Sequence, residues 1–480
     1  MFIQTVQISI LAVRRVVETM TILGEFNKNN KKEKIMFGKK FLGKTHVPHR
    51  KNTEEMTPVV MIPPCEVILP VQQHIGAPAA PVVKVGDEVK VGQLVAEATG
   101  YVSSPVYASV SGKVSKIDTC LPVKGEAVIA IRIESDGLMT VSENIAPPDI
   151  TDVDSLVEAI RASGIVGLGG AGFPTAVKFD AVKKGGIHTL VINGAECEPC
   201  ITVDSRTMID DAEYISEAIS LFKRVMPDIR SYIFGIEENK PLCIEKIKSV
   251  FKDDSSVSVC KLPSLYPQGA EKVLIRNTTG LVVPEGKLPA DVGVIVINVT
   301  TLAAISKYIK TGMPLVNKTL TLDGSAIKNP MNVTVPIGTP IGHVIDFAGG
   351  FKCEAGKIIF GGPMTGSTAY SLDEPVVKTT GAIIALAKKD SLHPCSTACI
   401  HCGRCVDACP HRLSPSEFGA AMRLDNVDER MAALEKSRIM LCVECGCCAY
   451  VCPAKRPMIE NIRLAKNALQ EYKANKATLK

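Results

Sequence analysis

Tryptophan is absent from this 480-residue chain, and aromatic residues of all kinds make up only 5% of it. Single-stranded nucleic acid is held by aromatic side chains set among basic ones. No such interleaving occurs here, so no nucleic-acid partner is expected. Long apolar runs are missing as well: the apolar first 24 residues are split by Arg14 and Arg15, well short of the roughly 20 residues that span a bilayer. An early positive charge with a small-residue cleavage site, the mark of a secretory signal, is not evident either. Any membrane role is therefore expected from the surface. The net charge of +5 is local, because residues 28–51 alone carry nine Lys or Arg against one Glu. Residues 1–35 read as a dispensable or misannotated extension ahead of a second start at Met36, the other reading being an amphipathic surface anchor.

Cysteine, by contrast, is plentiful. Eight of the 17 cysteines fall in two copies of C-x2-C-x2-C-x3-C-P: Cys399, Cys402, Cys405 and Cys409 before Pro410, then Cys442, Cys445, Cys448 and Cys452 before Pro453. This is the spacing of bacterial two-cluster ferredoxins, in which the fourth cysteine of each run ligates the other cluster. The assignment is Cys399, Cys402, Cys405 and Cys452 for one [4Fe–4S] centre, and Cys442, Cys445, Cys448 and Cys409 for the second. Structural zinc and disulfides are the alternatives, but neither calls for a proline after the last thiol, and zinc ribbons use two separated C-x2-C pairs. Cys395 and Cys447 break the pattern and read as bystanders, and His401 as a neighbour of the first cluster. A chain of this length with cysteines so used belongs in a reducing compartment.

The order of patterns gives a multidomain α/β plus β fold. After a basic segment at 36–64, residues 65–138 read as short strands broken by glycine turns, Val82–Asp87, Val89–Leu94 and Ala108–Val114. The phrase V-G-D-x-V-x-x-G-Q-x-V followed by S-G-x-V resembles a lipoyl or biotinyl carrier, a barrel-sandwich. The hairpin that would carry the modified lysine, Glu97 to Ser104, contains none, so the domain is expected to be structural. Residues 139–312 alternate helices with buried strands, as an α/β domain requires. A β-grasp module follows at 313–365, then linker strands at 366–384. An α-helical two-[4Fe–4S] ferredoxin-like domain occupies 385–460, and a helical tail at 461–480 reads as a solvated basic face.

Within the α/β region, Gly167-Leu168-Gly169-Gly170-Ala171-Gly172-Phe173-Pro174-Thr175 forms a glycine loop that follows a helix and not a strand. Taken by itself it fails the context test of a dinucleotide fingerprint. Its neighbours add chemistry: Lys178, the turn Asn193-Gly194-Ala195-Glu196-Cys197-Glu198-Pro199, Tyr266 to Lys272, and Asn298 to Thr301. Carboxylates and an amide at a strand's carboxyl end suit ribose hydroxyls or a flavin edge.

Together these segments resemble the C subunits of Rnf electron-transport complexes over nearly the whole chain from about residue 36. The flavin and β-grasp parts are similar to the NADH-binding subunit of respiratory complex I. The resemblance implies that Gly167, Gly169, Gly170, Lys178 and Asn193 hold FMN, with Asn298 and Thr301 near its phosphate. It also implies that Phe173, Glu196, Glu198 and Glu271 face NAD(H). Leu168, Ala195 and Ala270 depart from the complex I pattern, where an arginine and acids are usual. The implied function is a peripheral subunit on the cytoplasmic face of the cell membrane. It would exchange hydride between NAD(H) and FMN and single electrons with two [4Fe–4S] clusters. Other members of the complex would couple this to Na+ or H+ movement, with ferredoxin an indirect partner. Alternatives are a soluble electron-input subunit of a reductase such as proline reductase, and a relay that never touches NADH. The ligand register gives a direct expectation: Cys402→Ala lowers iron content by about one cluster, and Cys447→Ser leaves it unchanged, both read by iron and sulfide analysis.

Overall fold

The computed structural model describes residues 45–121, 127–392 and 395–478. The expected extension at 1–35 and the start of the basic segment lie outside them. The described part of that segment runs as an extended strap and ends in the short strand β1 (Val59–Val60).

The carrier-like domain follows as two small sheets. One has the order β2 (Glu66–Pro70), β8 (Val128–Ser135), β7 (Gly112–Cys120), β4 (Glu88–Val89); the other joins β3 (Ala80–Pro81), β5 (Leu94–Glu97) and β6 (Val106–Tyr107). Alternating apolar residues close between them, with Val67, Leu69, Val95, Val114, Ile131 and Ile133 fully buried. All three expected strands are displaced, Ala108–Val114 joining a strand only from Gly112 on. Val82–Asp87 lies between strands, and Val89–Leu94 straddles a turn; Gly86 and Gly92 hold φ of +97° and +82°. The Asp87 carboxylate accepts from the Lys84 amide at 2.8 Å, and this local bond competes with strand pairing.

The α/β domain is built as α1 (Val153–Ala162), α2 (Thr175–Lys183), β9 (Thr189–Gly194), α3 (Val203–Asp210), α4 (Ala212–Val225), β10 (Ser231–Glu237), α5 (Pro241–Val250), β11 (Val257–Leu262), α6 (Glu271–Thr279), β12 (Val294–Asn298) and α7 (Val299–Thr311). Its four strands are all parallel, in the order β11-β10-β9-β12. Such a sheet must be covered on both faces, which explains the near-continuous burial of Thr189–Ile192 and Val294–Ile297. The chain leaves β9 for β10 on one side, while β12 returns on the other. A topological switch point therefore opens between the carboxyl ends of β9 and β12.

The β-grasp sheet runs β1-β14 (Met331–Pro336)-β13 (Asn317–Asp323)-β17 (Ala382–Ala387)-β15 (Ala355–Phe360)-β16 (Ser367–Thr368), with α8 (Ile341–Phe347) on one face. The expected linker at 366–384 is thereby corrected. Its end enters β17, a central strand whose Ala382 to Ala385 are fully buried. A short alanine-rich run bounded by Gly381 has no alternation to mark it as a strand; pairing on both edges makes it one. The C-terminal domain contains α9 (Arg404–Ala408), α10 (Pro415–Ala421), α11 (Val427–Lys436), α12 (Cys447–Tyr450) and α13 (Met458–Thr478), around Phe418, Leu434, Ile439, Ile462 and Leu469. The tail is not merely solvated. Arg463 and Lys466 reach Glu444 at 3.0 and 2.6 Å, and Lys473 reaches Glu435 at 2.8 Å. No described helix is long and apolar enough to cross a membrane.

One lysine ties three domains together. Lys378, 1% exposed, donates to Pro105 O at 2.6 Å and Ser104 Oγ at 3.1 Å in the barrel-sandwich, and to Gly164 O at 2.8 Å in the α/β domain. Burial pulls its ammonium down to about 7. Between that value and the ordinary lysine range the unfolded chain binds the extra proton, so this group's contribution to stability rises with pH there and levels off below about 7. Lys378→Met leaves the buried Pro105 carbonyl without a donor and Gly164 O with Ser104 Oγ alone, and a loss of about 1–3 kcal/mol at pH 7 is expected. The difference from the parent should widen toward pH 9, as followed by chemical denaturation at the two pH values.

Candidate functional site

The glycine loop is a closed ring on the end of the parallel sheet. Gly167 N donates to Phe173 O at 2.9 Å and Gly172 N to Gly167 O at 3.1 Å, which pinches the base and leaves Gly169, Gly170 and Ala171 exposed at the crest. Gly170 has φ +109° and open space where a side chain would stand; at Gly169 a Cβ would press on the Asn298 amide at 3.0 Å. Both positions allow backbone amides to meet a bound group closely. From behind, Thr301 Oγ1 accepts from Leu168 N at 2.9 Å, and the buried Lys318 ammonium donates to Leu168 O at 3.2 Å.

Four segments meet at the switch point. Asn193 and Asn298, at the ends of β9 and β12, are register partners. Asn193 Nδ2 donates to Gly269 O at 3.0 Å and its Oδ1 accepts from Ala195 N at 3.2 Å. Asn298 Oδ1 caps α7 through Thr301 N at 3.2 Å, and its Nδ2 donates to both oxygens of Asp204 at 2.8 and 3.0 Å. Lys178 pairs with Glu271 at 2.9 Å and also donates to Val296 O at 3.2 Å. Both of these charged groups keep about a third of their side chains in solvent. Phe173 is half-buried at the foot of the loop. The expected FMN residues and Glu271 thus come together at one place. Exposed amides, a partly exposed cation and carboxamides at the carboxyl ends of parallel strands suit an anionic, planar group such as FMN.

Glu196 and Glu198 are seated differently from the expectation that they face a nucleotide. Glu196 is 8% exposed and in the left-handed region at φ +46°. Its carboxylate accepts from Asp204 N and Ser205 Oγ, both at 2.6 Å, so it holds the first turn of α3. Burial pushes its carboxyl up to about 7, against the attraction of Lys51. Glu198 turns the other way, onto the 361–366 loop of the β-grasp module. Its Oε2 accepts from Met364 N at 3.0 Å, its Oε1 from the Thr365 hydroxyl, and Tyr266 OH lies at 3.5 Å. In an extended segment the two side chains of an E-x-E sequence would share one face; the left-handed backbone at Glu196 breaks that alternation, and each carboxylate finds its own neighbour.

The residue that holds this turn was not legible in the sequence. Lys51, from the basic strap, is buried beneath the turn and donates to Glu196 O at 2.8 Å, Glu198 O at 2.9 Å and Ile201 O. Burial lowers its pKa. Asn52 and Thr53 extend the strap's grip to Asp323 and Thr202. Asp204 and the buried pair Glu237–Lys240, 3.5 Å apart at the end of β10, were also missed. Only their place after apolar strands could have pointed to them.

The cysteines gather in two sets across the runs. Cys399, Cys402, Cys405 and Cys452 line one cavity of about 530 Å³ together with residues of α10 and the Pro453–Met458 segment. Cys409, Cys442, Cys445 and Cys448 are near one another: burial, then the negative charge of the other three, pushes the Cys448 thiol up to about 12. Among the described residues no three Cys, His, Asp or Glu side chains converge tightly enough for a single ion, and no disulfide joins two described cysteines. Thiols spread around a cavity fit a cubane cluster better than zinc. The second set is seated at the domain junction, where Tyr266, Ala408 and Cys447 form an apolar contact with Cys197, Met364 and Cys445. Cys447 is therefore a buried packing residue. Cys399 and Cys402 of the first set are exposed.

Replacing Lys51 by Met should loosen the turn without disturbing the sheet. Amide exchange at residues 196–201 is expected to rise at least tenfold, equivalent to about 1.4 kcal/mol, with β9 and β12 unchanged; hydrogen-exchange mass spectrometry reads both.

Comparison with known proteins agrees with this division. Residues 39–138 match the RnfC barrel sandwich hybrid domain, 160–307 the Nuo51 FMN-binding domain, 319–367 the SLBB domain and 396–456 the 4Fe–4S dicluster domain. The C subunit of the Na(+)-translocating ferredoxin:NAD(+) oxidoreductase complex of Acetobacterium woodii is 42% identical, over 91% of this chain and 98% of its own length. Its proton-translocating counterpart from Clostridium ljungdahlii is 43% identical over 89% and 94%. The C subunit of the ion-translocating oxidoreductase complex of Rhodobacter capsulatus is 36% identical over 89% and 82%. With a barrel-sandwich, a flavin fold, a β-grasp and a dicluster domain in this order, the chain belongs to the family of C subunits of ion-translocating ferredoxin:NAD(+) oxidoreductase (Rnf) complexes.

Proposed function

We propose that this chain is the peripheral electron-transfer subunit of an Rnf-type complex, and that it exchanges hydride with NAD(H) at the switch point and single electrons with partner subunits through the C-terminal domain. The observation that carries this reading is the convergence of Gly169–Ala171, Lys178, Asn193, Glu271 and Asn298 at the crevice between β9 and β12. FMN, when bound, supplies the change from two-electron to one-electron chemistry.

Gly167, Gly169 and Gly170 would let the loop approach the flavin, and Lys178, kept in place by Glu271 and Val296 O, would supply positive charge beside it. Asn193, Asn298 and Thr301 would hold the cofactor from the strand ends, with Thr301 also fixing the loop through Leu168 N. Phe173, half-buried at the foot of the loop, would flank the nucleotide and exclude water. Glu196 is assigned to orienting the turn through α3. Cys399, Cys402, Cys405 and Cys452 would hold one cluster, and Cys409, Cys442, Cys445 and Cys448 the other. Packing of Cys445 against Tyr266 and Met364 supports placing the second set nearer the flavin, and exposure of Cys399 and Cys402 supports the first as the exit to a partner. Ion movement is assigned to other subunits, with this chain on the cytoplasmic face.

One observation favours a second reading. Both carboxylates of the Glu196–Glu198 turn are engaged within the chain, as a relay that does not meet NADH would allow. Anaerobic addition of NADH to the chain reconstituted with iron, sulfide and FMN separates the two: bleaching of the flavin absorbance within seconds is expected. Reduction by dithionite but not by NADH would leave the relay.

A further inference from the structure

We propose that Glu198 sets the redox potential of the second cluster, the one assigned to Cys409, Cys442, Cys445 and Cys448; this rests on the reading that those thiols carry a cluster. The carboxylate is held between the α/β domain and the 361–366 loop of the β-grasp module, and that loop in turn abuts the cluster domain. Its Oε2 accepts from Met364 N at 3.0 Å, and its Oε1 from the Thr365 hydroxyl. The carbonyl of the same Met364 lies against Gly446, where an added Cβ would stand 2.7 Å from it. Gly446 sits between Cys445 and Cys447, and its φ of +80° turns the chain into α12. One residue, Met364, thus touches the carboxylate with its amide and the cysteine run with its carbonyl.

The other side of the carboxylate repeats the pattern. Tyr266, 3.5 Å from Oε1, packs in the apolar contact that includes Cys445, Cys447 and Met364. Every polar neighbour of the carboxylate in this set is a donor, an arrangement that favours the ionised form. Burial works against the donors and raises the carboxyl. The space is tight: a Cβ on Gly362 would fall 2.2 Å from Oε2. A negative charge fixed in low dielectric beside an iron–sulfur centre favours its oxidised state, and net charge with local hydrogen bonding is what spreads such potentials. Cys399 and Cys402 are on an exposed surface outside this contact, so the effect is confined to one cluster. Glu198 acts through the field at the cluster and through Met364. It is a positioning residue, not a catalytic one.

The test is an EPR-monitored redox titration of the full reconstituted chain at pH 8.5, after iron, sulfide and FMN content have been measured. With two clusters present, Glu198→Gln should shift one cluster's midpoint potential to a more positive value. The other cluster, the FMN potential and the KM for NADH should stay where they are. Glu198→Asp, which keeps the charge, should restore the parent potential. Thr365→Lys, on the exposed rim of the loop, replaces the hydroxyl that donates to Oε1 with a cation beside the same carboxylate, leaves the Met364 and Tyr266 contacts in place, and should move the same cluster in the same direction. Unmoved cluster potentials in Glu198→Gln and Thr365→Lys overturn the proposal. So does a rise in KM for NADH with the clusters unmoved, which would put the carboxylate on the nucleotide. Fewer than two clusters in the unmodified chain would instead overturn the cluster reading on which the proposal stands.

Discussion

A lysine taken out of water without a carboxylate within hydrogen-bonding reach must give all three of its protons to fixed acceptors, and this chain does so at its domain junctions. Lys378 gives them to Ser104, Pro105 and Gly164, and Lys51 to the carbonyls of Glu196, Glu198 and Ile201. Each ammonium comes from an element distant in sequence from its acceptors. Opening either junction strands a buried charge or several buried carbonyls, which is among the more costly events available to a folded chain. Lys378 joins barrel-sandwich, α/β domain and β-grasp, and Lys51 joins the strap to the α/β turn.

The nodes also explain why a carrier-like domain is present in a chain with no lysine to modify. In a carrier the hairpin tip must be free to move. Here Ser103 and Ser104 are buried and the tip is locked against Gly164. The neighbouring barrel-sandwich loop grips the glycine ring, since Ile75 N donates to Gly172 O at 3.0 Å, and Thr379 lies where a side chain on Gly172 would stand. The sandwich is a buttress for the glycine loop.

From that loop to Cys445 the parts follow one line. The crevice between β9 and β12 is bounded by the Asn193–Pro199 turn, the turn reaches the 361–366 loop through Glu198, and that loop abuts Gly446 beside Cys445. Electron transfer falls steeply with distance, so a succession of contacting elements is the arrangement that single-electron exchange between domains demands.

The cysteine runs were fully legible because their chemistry is local: the spacing that wraps a cluster is written in consecutive residues. The glycine loop and the Asn193 turn were legible for the same reason, as was the order of the domains. The central strand Ala382–Ala387 was not, since only its neighbours on both edges give it a sheet to join. Nor were the roles of Lys51 and Lys378, which resemble any surface lysine until distant carbonyls close around them. The carboxylates of Glu196 and Glu198 show the division most directly. Their presence at a strand's end was a property of the sequence, but which way each one points was decided by α3 on one side and the 361–366 loop on the other, through hydrogen bonds that exist only once the domains have met.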